Sequence, residues 1–326
     1  NGSLYERNVK MRSVTRLIEQ IRRQTENEDF DDFVGISDEE FIQYINDAQY
    51  NLQAAIVHQH PRVFTAEAII DAVNGQESYE LPSDCLLANK VHNVEYSNTG
   101  DDDDYYVLEQ STIKYRTTGI QGSPTKYTRL GGKLLLAPVP QSGGKLRVTY
   151  IKRLRELDKR QAQVGVARNA KPNDNIVSAS GTFEISLETN NFETNTEGLS
   201  KHDFICIVDK EGRSLVKNIE ITASGLSSIT CNAHTLDIGE SANIPVGAFV
   251  VGGKDTTTHS ELDISVERYL IAYAAWKILK RDSSVDSVEA AEELAMMLKE
   301  IVKSYAMVSD DIQFVPQLNS WDDWSS

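Results

Sequence analysis

Apolar positions in this chain recur with a helical period near both ends and with a strand-like period between them. Val14, Leu17, Ile18 and Ile21 predict a first helix at about 12 to 25, and an acidic linker from Glu26 to Asp32 follows it. Phe41, Ile45, Ala48, Leu52, Ala55 and Ile56 then recur at three- and four-residue spacing and form one apolar stripe of a longer second helix. Ser37 and Glu40 have the S-x-x-E spacing of a capping box, and Asp38 and Glu39 sit where the helix dipole favours negative charge. Two helices joined by a short polar link form an αα-hairpin whose stripe must be buried against something.

From Phe64 onward, short apolar runs and turn residues predict strands. Val91, Val94 and Tyr96 lead into an acidic tip at Asp101 to Asp104, and Tyr105 to Leu108 lead away, which predicts a hairpin or long loop. Leu134 to Pro140 and Leu146 to Ile151 read as two strands around a turn at Ser142-Gly143-Gly144. Asn169 to about Ser260 is rich in Thr, Ser, Asn and Gly. Its β-branched runs at Thr182 to Leu187, Phe204 to Val208, Leu215 to Thr222, Ile229 to Cys231 and Phe249 to Val251 predict a small antiparallel sandwich or barrel.

Helical period then returns. Leu262, Val266, Tyr269, Leu270, Tyr273 and Trp276 line one helix that ends near Lys277, Lys280 and Arg281; Val288, Ala291, Ala295, Leu298, Ile301, Val302 and Tyr305 line another. The fold class expected is α+β: a helical bundle formed by the N- and C-terminal helices, carrying a β-hairpin region and an inserted antiparallel β domain. The corresponding units are 1–155, the inserted domain 156–260, a closing helical pair 261–308 and an extended acidic tail 309–326. The expected helix core is Phe41, Ile45, Ala48, Leu52, Tyr269, Tyr273 and Trp276. Within the tail, Phe314, Leu318, Trp321 and Trp324 stand as aromatic and aliphatic anchors in acidic sequence, which reads either as a frayed terminus or as a segment that orders on a partner, the two tryptophans favouring the second.

Composition narrows the function classes. A net charge of −16 argues against electrostatic nucleic-acid binding, which needs Lys and Arg opposite phosphates. Cys85, Cys206 and Cys231 are far apart and lack C-x-x-C spacing, so neither a disulfide framework nor a zinc site is indicated and a reducing compartment at synthesis is expected. No run approaches the roughly 20 apolar residues of a bilayer span, so no membrane anchor is expected.

The chain shows no catalytic constellation. His58 and His60 lack further ligands at convincing spacing, and the Asp101 to Asp104 run lacks the alternating ligands and glycine of an EF-hand loop. Gly131-Gly132 and Gly143-Gly144 lack the P-loop lysine, no G-x-S-x-G elbow occurs, and carboxylates such as Glu184 and Glu188 are too abundant to single out a pair. The expectation is a protein that is not an enzyme and carries no cofactor or metal.

Four features in order resemble the head-to-tail adaptor, or head completion, proteins of short-tailed bacteriophages. They are S-D-E-E-F-I-Q-Y-I-N-D-A-Q from Ser37, Y-E-L-P-S-D from Tyr79, G-K-L-L-L-A-P-V-P from Gly132 and L-R-V-T-Y-I from Leu146. The resemblance covers roughly the first 155 residues and the closing helices. It implies helices packed side by side in a twelve-membered homo-oligomeric ring beneath the portal, with genomic DNA passing through the channel without specific binding. It also implies assembly in the host cytoplasm and a final place in the virion at the portal–tail junction. Phe314, Leu318, Trp321 and Trp324 fall where the adaptor tail inserts between portal subunits. The β segment departs from simple adaptors; it reads either as a spacer or as a dock for tail fibres, a tail nozzle or a tail tube. An acidic channel wall would let DNA slide.

Two other classes remain open. A carbohydrate-binding tail adhesin would need exposed aromatics on a concave β surface, and the β segment has only Phe183, Phe192, Phe204 and Phe249, without tryptophan or tyrosine, which counts against sugar stacking. A wall-degrading virion enzyme would need a carboxylate with a raised pKa in a cleft.

Overall fold

The computed structural model describes residues 12–25, 36–87, 90–112, 120–165, 177–188, 199, 202–225, 227–236, 240–281 and 286–310, with side chains left undescribed at 102, 286 and 306–310. Helices α1 (Val14–Thr25) and α2 (Asp38–Gln59) open it, and α3 (Ile264–Arg281) and α4 (Asp286–Asp310) close it. All four contribute to one apolar cluster that includes Leu17, Ile21, Phe41, Ile45, Leu52, Tyr269, Leu270, Ile301 and Val302. The fold is mixed α+β, and the first and last described helices share this cluster.

Ser37 caps α2, accepting the Glu40 N–H at 3.3 Å. The return arm of the expected capping box is not made. Glu40 Oε1 accepts instead from the Tyr44 hydroxyl at 2.7 Å and Arg281 at 3.0 Å, because a charged partner on α3 outcompetes a backbone N–H. The stripe on α4 is also displaced from the expected one. Leu294, Ile301 and Val302 are buried, with Met297, Leu298 and Tyr305 packed alongside, while Val288 and Ala295 face outward.

Two four-stranded sheets follow α2. One has the order β1 (Thr65–Ala72), β10 (Gly144–Ile151), β3 (Val91–Ser97), β4 (Tyr106–Val107). The other has the order β2 (Ser78–Glu80), β8 (Lys133–Ala137), β7 (Lys126–Leu130), β5 (Glu109–Gln110). A second cluster, with Tyr79, Tyr96, Tyr127, Leu134, Leu136, Leu146 and Val148, draws its residues from both sheets. Strands β3 and β4 do form a hairpin, with a 3₁₀ turn at Asp102–Asp104.

The expected pairing of 134–140 with 146–151 does not occur. Strand β8 pairs with β2 and β7, and β10 pairs with β1 and β3. Between β8 and β10, β9 (Val139–Pro140) forms a parallel pair with β6 (Gln121–Gly122), so the proline segment carries the chain from one sheet to the other.

The third unit is an antiparallel sheet of order β12 (Ala162–Gln163), β17 (Phe249–Gly252), β14 (Phe204–Val208), β15 (Ser214–Ser224), β16 (Ser228–Asn232), β13 (Thr182–Ser186). Its two ends join. Val164 bridges Leu187, the Gly165 N–H donates to Ser186 O at 2.8 Å, and the Glu188 N–H donates to Gln163 O at 2.9 Å. The sheet therefore closes as a six-stranded barrel, which removes its edges. Closure needs the glycine: a Cβ at Gly165 would stand 2.9 Å from the backbone of Leu187 and Glu188. The barrel has its own core, including Ile185, Ile205, Ile207, Val216, Ile219, Ile229 and Val250.

Candidate assembly site

Helix α2 buries two faces. One is the apolar stripe Phe41, Ile45, Ala48, Leu52 and Ile56, all at most 2% exposed. The other carries Asn46, Gln49 and Gln53, three buried carboxamides at i, i+3 and i+7. They read the backbone of the segment that leaves β10. Asn46 donates to Leu157 O at 2.9 Å and accepts from its N–H at 2.8 Å; Gln49 donates to Arg155 O at 2.9 Å; Gln53 donates to Lys152 O at 2.7 Å and accepts from the Leu154 N–H at 3.2 Å. The helix thus supplies the hydrogen bonds that a neighbouring strand would otherwise supply to this buried backbone.

The same segment leads into the barrel and is matched by the one that returns. Strands β11 (Glu156–Leu157) and β18 (Thr256–Thr257) pair in parallel. Glu261 then reaches back to Arg155 at 2.9 Å and Lys152 at 2.8 Å and accepts the Arg155 N–H at 3.0 Å. Burial pushes the Glu261 carboxyl up, but Arg155, Lys152 and the backbone N–H outweigh it and hold its pKa at about 2. A second link joins the barrel to the core: Asp255 exchanges hydrogen bonds with Asn218 at 2.8 and 3.1 Å and accepts from Ser83 at 3.3 Å. The barrel is therefore fastened to the helices and sheets by buried polar contacts.

The first turn of α2 is where charges from other elements converge. Asp38 pairs with Arg22 of α1 at 2.6 Å and with Lys159, and Glu40 pairs with Arg281 of α3. Tyr269 and Tyr273 are buried in the helical cluster with ring centroids 6.0 Å apart, while Trp276 is half-buried, edge-on to Tyr273 and covered by Lys280. Phe314, Leu318, Trp321 and Trp324 lie outside the described residues.

Burial raises the pKa of Asp158, which lines a cavity with Lys159, Arg160 and His259. Among the described residues no group of three His, Cys, Asp or Glu side chains is placed to hold a metal ion, and all three cysteines are free. The buried Asp84 accepts from the Tyr150 hydroxyl at 2.6 Å, and burial together with this bond raises the Tyr150 pKa. The barrel's described phenylalanines differ in surroundings. Phe183 belongs to the barrel core, Phe204 is covered by Lys254 and Phe249 by Arg160, and Phe192 lies outside the described residues. No described helix is long and apolar enough to cross a membrane.

Sequence reasoning found the apolar face of α2 but missed Asn46, Gln49 and Gln53. Their signal is legible as N-x-x-Q-x-x-x-Q beside the stripe. Glu261 and Arg155 give no local signal, because their pairing joins segments more than 100 positions apart.

The described residues build a helix-and-sheet platform that carries a barrel. Residues 12–169, just under half of the chain, match the model of the SU10 adaptor protein family. Comparison with curated proteins gives no match. The match spans α1, α2, both four-stranded sheets and the segment that α2's carboxamides hold, and it supports a structural role as a phage head-to-tail adaptor.

Proposed function

We propose that this chain is a ring-forming adaptor that joins portal to tail in a tailed phage, of the short-tailed type, without enzymatic activity. The family match over the platform carries the reading. The meeting of α1 and α2 with α3 and α4 in one apolar cluster supports it, since helices from distant parts of the sequence then form one rigid wall. Copies associate in a ring, twelve in the arrangement the resemblance implies, and DNA passes through its channel. The outer face of α4, where Val288 and Met296 are 66 and 67% exposed, supplies apolar contact to a neighbour. The barrel, fastened to the platform yet built around its own core, presents a separate surface to a tail fibre, nozzle or tube protein. Phe314, Leu318, Trp321 and Trp324 are the anchors that enter the portal.

The test is electron microscopy of portal rings from the same source incubated with the chain. An added ring of density on one face of the portal is the expected result; bare portals would overturn the reading. Replacing Trp321 and Trp324 together by alanine should leave the fold intact and weaken portal binding by a few kcal/mol, on the order expected for aromatic hot spots. Unchanged binding would remove these residues from the interface.

A further inference from the structure

A cavity of about 330 Å³ lies between the first turn of α1 and the rim of the barrel. Among the described residues, Lys159, Arg160 and Lys210 line it with one carboxylate, that of Asp158, together with Phe249 and His259. This concentrates positive charge in a chain whose net charge is −16. Its cations differ in engagement. Lys159 pairs with Asp38, and Arg160 lies 5.0 Å from the centre of the Phe249 ring. Lys210 is exposed and forms no ion pair among the described residues. The fold makes room for it: Gly247, at φ +83°, lies beneath the lysine, and a Cβ there would come within 2.7 Å of Lys210 Cε and 2.9 Å of its Nζ. His259 is almost fully buried, and its ring stacks on Phe249 at 6.2 Å. The N-terminus of α1 opens onto the same space through Val14 and Thr15 and adds the positive end of its dipole.

The last turns of α4 reach the start of α3, where burial and the Asp263 carboxylate raise the Tyr305 pKa. Arg268 of α3 faces Glu300 of α4 at 3.6 Å, and the helices are antiparallel. At about 1.5 Å per residue, the end of α4 at Asp310 therefore extends roughly 9 Å beyond the start of α3 at Ile264. His259, whose backbone bridges Ser13 at the cavity, precedes that start by five positions. Residues 311–326 follow, with a reach of up to about 50 Å if extended. With the preceding Ser309 and Asp310 this stretch holds Asp310, Asp311, Asp322 and Asp323, no Lys or Arg, and two of the chain's three tryptophans.

We propose that the cavity is a carboxylate-binding dock for the chain's own C-terminal segment, residues 311–326, with Lys210 as its leading cation. The dock and the portal would then compete for the same segment, a consequence that rests on the adaptor reading; the docking itself does not. Charge attraction at an exposed lysine is screened by salt, so the contact is weakened at high ionic strength.

The experiment is fluorine NMR of the full chain carrying fluorotryptophan. It gives one resonance each for Trp276, Trp321 and Trp324 and needs no portal. A synthetic peptide of residues 309–326 supplies the free positions. The Trp321 and Trp324 resonances should stand away from the peptide's positions, independently of protein concentration. Both Lys210→Glu and high salt should move them onto those positions while Trp276 stays in place and reports an intact fold. Tail resonances coinciding with the free peptide in the unaltered chain would overturn the proposal, as would resonances unmoved by Lys210→Glu. Dependence on concentration would also overturn it, by assigning the occupant to a second copy. None of these outcomes bears on whether the chain binds a portal.

Discussion

Helix α2 buries two opposed kinds of surface, whereas barrel strands such as β13 and β16 bury alternate residues along one face. The helix is held by hydrocarbon on one side and by carboxamides on the other. The barrel is held by aliphatic side chains in a closed ladder, with a core separate from that of the helices. Polar contacts with backbone and a half-buried carboxylate fasten the two regions together. The platform and the barrel should therefore fail separately, and the fastening should fail in a pH-dependent way.

The largest effect is expected from Phe41→Asp, which places a charge in the helical cluster at a site 2% exposed. A loss of about 4 kcal/mol or more is expected. Circular dichroism should show the helical signal lost, while amide exchange in β14 to β16 stays slow; loss of protection in both would show that the two regions fold as one unit.

Glu261→Gln comes next, at about 3 kcal/mol, since it leaves the nearly buried Arg155 without its charge partner. The carboxyl is held near 2, below the usual glutamate value of 4.5, so its contribution is complete above the unfolded value and disappears as pH falls toward 2. Melting temperatures of the parent and Glu261→Gln chains should differ at neutral pH and converge in acid. Parallel curves throughout would remove Glu261 from the fastening.

Asn46→Leu should cost about 2 kcal/mol, because it orphans the N–H and C=O of the buried Leu157. Its mark should be faster exchange of the Leu157 amide, with the barrel amides unaffected. Smallest is Ser37→Ala, at about 1 kcal/mol from loss of the α2 cap, read as a lower urea midpoint. The half-made capping box predicts that Glu40→Gln acts through Arg281 and not through Ser37, so the two substitutions should be nearly additive.

The comparison also shows what a single sequence makes legible. The stripe on α2 reads directly, because a helix brings i, i+3 and i+4 together whatever surrounds it. Asn46, Gln49 and Gln53 repeat at helical spacing too, but a row of amides reads as a solvated face until a strand is known to lie on it. The β runs between Thr182 and Val251 correspond to strands, since alternation is local. Closure of the barrel rests on Ala162–Gln163, a strand too short to carry a period. Pairing failed at Leu134 to Ile151 for a related reason: local pattern identifies strands, but which strand pairs with which is decided by the packing of Leu136 and Leu146 in one core. On α4, alanines at 291 and 295 let the stripe be read in two registers, and Leu294 decides between them only once α2 and α3 are in place.

The chemistry of the site was less legible than the fold. Its contacts join positions far apart, and its expected portal anchors lie in 311–326, outside the described residues.

The most direct test of the adaptor account is the native mass of the chain, alone and after mixing with portal rings from the same source. The account predicts a defined ring of copies on each portal in fixed stoichiometry. A chain that leaves the portal mass unchanged at every ratio would contradict it and turn attention to whatever the barrel binds.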